Sequence, residues 1–554
     1  MKRFLLGAIF ALTALSIIPS TAYGQYSFGG AVLDHDIMMP TEIASLSQNQ
    51  PFGTARSMAM GGAFTSLGGD MSTVSINPAG LGMFSQEVFS LSPMLMISDA
   101  TTAGAPSWQG NNKSSFGFSN MGATFKVSEN ASGSVIAVNA AVTYNRLADY
   151  NSKMSFSSET LYNPSNDYTV PSIVDVYMGQ LDFGGFNPDT SKMMDYDNNP
   201  YYWPAQSAYN TYLVDPVGDG SWTTNTIGQR ASVMSSYDVT QRGRADEYSF
   251  ALGANIGNYL YIGATLGLQQ IVQTTEYTYQ EEYNYYEDGG YAYAAPDYTD
   301  LLASQAAYSV LWQKTKLDGA GANLKLGMIM RPMRALRIGI AYHSPTYYTM
   351  TRSYETSTEA MFWDNSDDSS TINTSTSPEI IDNYEYSWKF RTPSKLLLGA
   401  SLQVGSLAIV SLDYERQWYN WIRVSNAPGE LTPYDYQSSY ETNYQPTNTL
   451  RAGLEVKPMP TVALRAGAGY VSSMLKDESQ FSTPMATDSH YISLGLGFQL
   501  SSVTTLDLAY QNYHQNYSSY QLFYVENGGS VTSSNTFNTS LDRNYVVATL
   551  TFRM

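Results

Sequence analysis

The sequence predicts an all-β fold: a 14-stranded antiparallel transmembrane β-barrel with an N-terminal hatch, or plug, inside its lumen. Three observations carry that prediction. From about Glu87 onward, fourteen segments alternate apolar residues with small or polar ones, the period-2 pattern of strands with two different faces. Six of the thirteen connections between them are short, at 128–133, 257–258, 332–334, 405–406, 458–460 and 501–503, and they alternate with seven long polar intervals. A barrel whose strands start and finish on one side of a membrane sorts its connections in this way, with tight periplasmic turns and long outer loops. The composition agrees, with charged residues at 14%, Tyr at 45 and Gly at 43. A disordered acidic chain would be poor in aromatics.

Taken in order, residues 1–24 read as a signal peptide. Lys2 and Arg3 form the basic start, residues 4–18 an apolar run, and Ala22 and Gly24 the small residues before a cleavage site. The rest of the chain has no apolar run long enough for a membrane-spanning helix. The expected location is therefore the outer membrane of a Gram-negative cell. Residues 25–85 break the strand rhythm. They carry three Gly clusters and a Pro, and read as a compact, turn-rich hatch. Residues 86–554 form the barrel, with the largest outer loop at 147–245.

Strand parity assigns the two faces. In 491–500 the set Ile492, Leu494, Leu496, Phe498 and Leu500 faces lipid, against Ser493, Gly495, Gly497 and Gln499. In 450–457 Leu450, Ala452, Leu454 and Val456 oppose Arg451, Gly453, Glu455 and Lys457. By the same parity Asp413, Glu415, Arg451, Glu455, Arg465 and Asp507 point into the lumen, where mixed charge suits a network bracing the wall and its plug.

Formal net charge is −19, which excludes nucleic acid as a partner. With no Cys there is neither disulfide nor thiolate metal site. The four His (His35, His343, His490, His514) lack zinc-protease spacing, and neither a nucleophile elbow nor a phosphate loop is present. No catalysis, metal or cofactor is expected. Six Met fall in the hatch region, and among the apolar residues there Met58, Met60, Met83 and Phe64 are candidates for the path of a hydrophobic ligand.

The hatch carries the most specific signal. Ala55-Arg-Ser-Met-Ala-Met-Gly-Gly-Ala-Phe64, then Gly69-Asp70 and Asn77-Pro78-Ala79, resembles the N-terminal hatch of FadL-type outer-membrane transporters of long-chain fatty acids and aromatic hydrocarbons. Downstream, 337–345, 392–399, 412–418, 450–457 and 464–470 resemble wall strands of that family. The 147–245 loop is longer than the family leads one to expect, and its Tyr-rich sequence suggests a Bacteroidetes-like member. The resemblance implies passive uptake of a hydrophobic small molecule, captured on the outer side, admitted by hatch movement and released laterally through the wall. It singles out Asn77, Pro78, Ala79, Gly61, Gly62 and Asp70 as gating candidates. The implied partners are the ligand, outer-membrane lipids and, during biogenesis, the barrel-assembly machinery, for a monomeric protein. Two other readings stay open: a receptor for haemin or another surface ligand, for which His35 and His490 are the candidate iron ligands, and a barrel serving a secretion or surface-attachment system.

Overall fold

The computed structural model describes residues 26–32, 39–103, 111–130, 133–162, 170–183, 202–217, 221–224, 231–287, 290–291, 304–364, 369–376, 384–426, 432–477, 484–527 and 530–554. The expected signal peptide and His35 lie outside them.

Fourteen antiparallel wall strands close into a barrel. They are β1 (Val88–Ala103), β2 (Asn112–Glu129), β3 (Val135–Asp149), β4 (Ala231–Ile256), β5 (Leu260–Glu287) and β6 (Ser304–Met330). Next come β7 (Leu336–His343, continued by Tyr347–Asp364) and β8 (Tyr384–Arg391, continued by Lys395–Val404). The wall ends with β9 (Ala408–Gln417), β10 (Thr447–Met459), β11 (Val462–Val471), β12 (Ala486–Gln499), β13 (Thr504–Tyr517) and β14 (Thr536–Arg553). Each pairs with the next, and β14 pairs with β1 from Arg553 opposite Val88 to Asn538 opposite Ala103. All six expected short turns join strand ends on one side.

The lipid-facing belt follows the parity read from sequence. Ile492 and Leu494 are each 62% exposed, whereas Ser493 between them is 2% exposed. On β5 the exposed apolar residues Ile262, Leu266 and Leu268 stop eight residues from the turn end, although the strand has 28. At about 3.3 Å per residue such a strand far exceeds what a bilayer needs, so its outer half stands clear of lipid. β4 and β6, of 26 and 27 residues, do the same.

These extensions carry an outer cap. The interval 147–245, expected as one loop, contains an extension of β3 (Ser152–Thr160), the helices Ile173–Phe183 and Trp203–Asn210, and the outer part of β4 from Ala231. Its apolar residues, among them Ile173, Val174, Tyr177, Leu181, Leu213 and Trp222, form one core with Phe156, Tyr237, Tyr279 and Phe523 from the wall and the last outer loop. The Tyr-rich composition thus serves a folded cap, because Tyr buries a large ring while keeping a polar tip. Tyr26–Gly29 adds a strand to the hairpin Tyr524–Asn527 and Ser530–Ser533 of that last loop.

From the cap the chain descends through the lumen. It forms α1 (Pro40–Leu46), α2 (Ala55–Ala59), α3 (Thr73–Ile76) and a 3-10 turn (Pro78–Met83), then enters β1. Wall and hatch approach so closely that inward wall positions are glycine. A Cβ on Gly327 would collide with the side chain of Asn77, and one on Gly467 with the backbone of Gly61.

Candidate functional site

The lowest part of the site is the hatch corner at 77–79. Pro fixes φ at Pro78 and biases its predecessor toward extended backbone, and Asn77 is extended at φ −143° and ψ 101°. Asn77 is wholly buried. Its Oδ1 accepts from the Ala79 N–H at 3.1 Å, capping the 3-10 turn. Its Nδ2 donates to the carbonyl of Thr65 at 2.6 Å, and lies 3.3 and 3.4 Å from the carbonyls of Ile340 on β7 and Met328 on β6. One amide therefore ties two hatch segments to each other and to the wall.

Gly61 and Gly62 adopt φ +65° and +69°, the left-handed region open to glycine, and turn the chain sharply after α2. Tyr491 of β12 donates to the Gly61 carbonyl at 2.9 Å. Asp70 accepts from the Thr54 hydroxyl at 2.8 and 2.9 Å and from the Ser72 N–H at 2.9 Å, so it holds the N-cap of α2.

Around this corner the inward charges of the wall meet the hatch in clusters. Glu455 binds Arg56 of α2 at 2.8 Å and Arg465 at 2.6 Å, and Arg465 reaches Asp507 at 2.7 Å. The second cluster joins Arg451 to Glu415 at 2.7 Å, with Lys395 3.7 Å from the same carboxylate. Asp413 instead accepts the Thr65 N–H at 2.7 Å. All six lumen residues expected from parity thus touch the hatch or one another. A third cluster was not singled out from sequence. Glu247 of β4 binds Lys325 of β6 at 2.5 Å and accepts from Ser75 of α3 at 2.9 Å and Gln269 at 2.7 Å. The same parity argument would have found it, since Tyr248 and Leu324 beside them face outward.

Higher in the lumen lies a cavity of about 230 Å³. Met39 and Leu46 beside and within α1 bound it on the hatch side, and Ala148, Met154, Val239, Leu317 and Leu541 on the wall side. Tyr150, Gln515 and Arg543 add polar groups. Phe64, Met58 and Met60 are fully buried below it, packed between hatch and wall. The Phe64 ring carries the Arg56 guanidinium at 5.5 Å. Met83 lines a separate cavity of about 170 Å³ near the turn end of the barrel, together with Asp70 and Asp507.

The cavity adjoins a break in the wall. β2 and β3 are paired from Glu129 opposite Ala137 up to Asn120 opposite Asn145, and no ladder joins 112–119 to 146–160 among the described residues. Among the described residues two contacts span it: the Ser115 hydroxyl donates to Asp149 at 3.4 Å, and at the outer end the Ser155 N–H donates to Asn111 Oδ1 at 2.9 Å. Arg146 binds Asp149 at 3.0 Å and Asp246 at 2.7 Å, which fixes the departing edge of β3. Pro93 of β1 sits at a bulge opposite Phe118, where the missing N–H is tolerated.

Fold and site together define a plugged outer-membrane transport barrel. Residues 258–553 match the model of the outer membrane protein transport protein family (OMPP1/FadL/TodX), and the chain belongs to that family. A FadL homologue of Pseudomonas aeruginosa shares the fold at a TM-score of 0.50 and 11% identity, over 91% of this chain and 99% of that one. The toluene transporter TodX of Pseudomonas putida aligns at 0.46 and 12%, over 91% and 99%. The toluene transporter TbuX of Ralstonia pickettii aligns at 0.44 and 13%, over 90% and 98%. No curated protein matches the sequence.

Proposed function

We propose that this protein carries hydrophobic small molecules, of the fatty-acid or aromatic-hydrocarbon kind, passively across the outer membrane, and performs no chemistry on them. The observation that carries the reading is a largely apolar cavity, between hatch and wall, beside the stretch where β2 and β3 part. Burying apolar surface is worth about 25 cal/mol per Å², so such a cavity takes a greasy cargo from the cap side without an energy source. The gap offers an exit into lipid, which suits a cargo that gains nothing from a water-filled pore. Asn77, Pro78, Ala79, Gly61, Gly62 and Asp70 hold the hatch that closes the path below. We take the working unit to be a monomer surrounded by lipid, dependent on the barrel-assembly machinery only for insertion.

The test uses the absence of native cysteine. Ser115→Cys with Asp149→Cys would bridge the gap at a point where the native side chains already touch. Oxidation should stop uptake of labelled toluene and decanoate, and reduction should restore it. Unchanged uptake through fully cross-linked protein would remove the lateral exit. No uptake above background by the reduced protein would remove the transport reading itself.

A further inference from the structure

The lipid-facing surface of the barrel is not uniform. Over β6 to β11 it carries an open groove of about 870 Å³, on the outside of the wall. Its low points are Ala400, Ala452 and Ala468, which face outward on β8, β10 and β11, and Leu398, Leu450 and Tyr470 stand around them. The hatch accounts for this shape. Gly453 and Gly467, next in sequence to two of those alanines, pair on the inner face, where a Cβ on either would collide with the hatch backbone at Met60 or Gly61. Glycine inside and alanine outside make the wall thin here.

Arg416 of β9 stands at the outer end of the groove. It points outward, since Glu415 and Gln417 on either side of it are buried on the inner face. It lies two residues beyond Tyr414, which lines the groove, and opposite Leu396, which in turn faces the exposed Tyr342. Tyr342, Tyr470 and Tyr510 are exposed along the outer edge of the apolar belt, where an aromatic girdle meets the lipid headgroups. The guanidinium is therefore at headgroup depth. Its Nη1 donates to Asn448 Oδ1 at 3.1 Å, an oxygen that also accepts the Tyr414 hydroxyl at 2.7 Å. No carboxylate among the described residues lies within ion-pair distance of Arg416. Arg423, seven residues further out, has Glu441 at 2.8 Å. From Arg416 down to Leu412, opposite Ala452, is four residues, roughly 13 Å at the usual rise of a strand and well within the reach of an acyl chain. A guanidinium presents a fork of donors that matches phosphate oxygens.

From the groove and the cation at its outer end, we infer a lipid site on the outside of the wall. The occupant is a lipid of the surrounding outer leaflet that carries a phosphate monoester. One of its acyl chains lies over Ala400, Ala452 and Ala468, and Arg416 holds its phosphate. The lipid is a bound partner of the barrel, separate from any cargo in the lumen.

The probes are phosphatidic acid, which carries the phosphate monoester, and a diacylglycerol with the same chains and no phosphate. The purified protein is placed in phosphatidylcholine nanodiscs containing a minority of both, and the lipids that leave with it are identified by native mass spectrometry. Wild-type protein should retain phosphatidic acid at about tenfold its share of the bilayer, the scale of one charge-assisted bidentate contact, and diacylglycerol at no more than its share. Arg416→Gln should bring phosphatidic acid down to its share, and Arg416→Lys should keep part of the enrichment. Ala452→Leu with Ala468→Leu fills the groove with apolar side chains suited to the lipid face, and should lose the enrichment with Arg416 in place. The wild-type ratio decides the matter even if Arg416→Gln fails to assemble. Retention in proportion to the bilayer, or release of a lipid-free dimer with the groove buried between two copies, would overturn the site. Enrichment that survives Arg416→Gln would overturn the phosphate anchor, and enrichment that survives the filled groove would overturn the acyl seat.

Discussion

Replacing Asn77 by Ala tests whether the hatch corner gates the path or only fills it. The ladder carbonyls of Met328 and Ile340 pair across β6 and β7 whether or not Asn77 is present, and their contacts to it are long. The loss therefore falls on the Thr65 carbonyl, bound at 2.6 Å, and on the Ala79 N–H, bound at 3.1 Å, in a corner that is fully buried. Two good hydrogen bonds, with a carbonyl and an N–H left without their partner in a buried corner, come to about 2–4 kcal/mol. That shifts the balance between seated and displaced corner by roughly 30- to 900-fold. The wall ladders are untouched, so the barrel should remain folded and heat-resistant on a gel. Because Asn77 joins the 65 and 78–79 segments to each other, its loss should let the corner fray locally. Hatch movement would then no longer pass from one segment to the next. Pro78→Ala, which removes the stiffness of the same corner, should act in the same direction. The assay measures two fluxes in one strain, uptake of labelled oleate and leakage of a small hydrophilic substrate. Impaired oleate uptake is the expected outcome. Normal oleate uptake by a folded Asn77→Ala barrel, with or without leakage, would refute gating and leave the corner as packing.

Glu455→Ala leaves the Arg56 and Arg465 guanidinium groups without their shared carboxylate, a change of about 3–5 kcal/mol for a buried pair, and should raise ion conductance in planar bilayers as α2 loosens. Leu494→Arg places a cation on the lipid face at about 2–4 kcal/mol and should abolish the heat-modifiable band, whereas Ser493→Ala forfeits only one bond to the Ala59 carbonyl and should assemble. Equal behaviour of the two would show that the faces are reversed. In the cap, burial pushes the Asp175 carboxyl up to about 7, and the Glu281 charge adds to the shift against the Ser172 N–H. A carboxylate raised in the folded state costs stability as pH climbs from its unfolded value toward 7, so limited proteolysis of the cap should be slower at pH 5 than at pH 8. Asp175→Asn should flatten that dependence, and an unchanged profile would remove Asp175 as its source.

Much of the wall was legible because each strand states its own two faces. Leu494 and Ser493 differ in exposure as their alternation requires, and the short turns such as Gly257-Asn258 announce themselves locally, with both residues at positive φ. The inward charges followed for the same reason. Their partners did not, because Arg56 and Glu455 lie far apart in sequence and nothing local pairs them. The cavity was hidden for a related reason. Met39, Tyr150, Val239 and Leu541 come from the hatch and from three wall strands, and each has an ordinary neighbourhood in sequence. Hatch methionines drew attention by number, yet Met58 and Met60 pack against the wall, and number says nothing about which apolar group borders empty space. The cap was hidden by composition. A stretch rich in Tyr, Asn and Ser reads as loop, although Tyr177 and Tyr279 form its core.

The course of the chain joins these parts mechanically. Tyr26–Gly29 is held in the outer hairpin, while at the far end the Met554 N–H donates to the Glu87 carbonyl at 2.9 Å, so the described residues 39–87 run through the lumen toward the turn side. Midway, Gln50 grips the wall where the ladder between β2 and β3 has ended. Its N–H donates to the Leu147 carbonyl at 2.8 Å, its Nε2 to the Asp149 carbonyl at 3.2 Å, and its Oε1 accepts the Asp149 N–H at 3.1 Å. Those are the bonds a neighbouring strand would make, supplied instead by one hatch residue. Just above it α1 borders the cavity, and just below it α2 is fastened to Glu455. Any displacement of this descending segment must therefore change the cavity and release the edge of the gap in one motion. On the route proposed above, the filling of the cavity and the opening of the gap would be coupled through the backbone of the hatch.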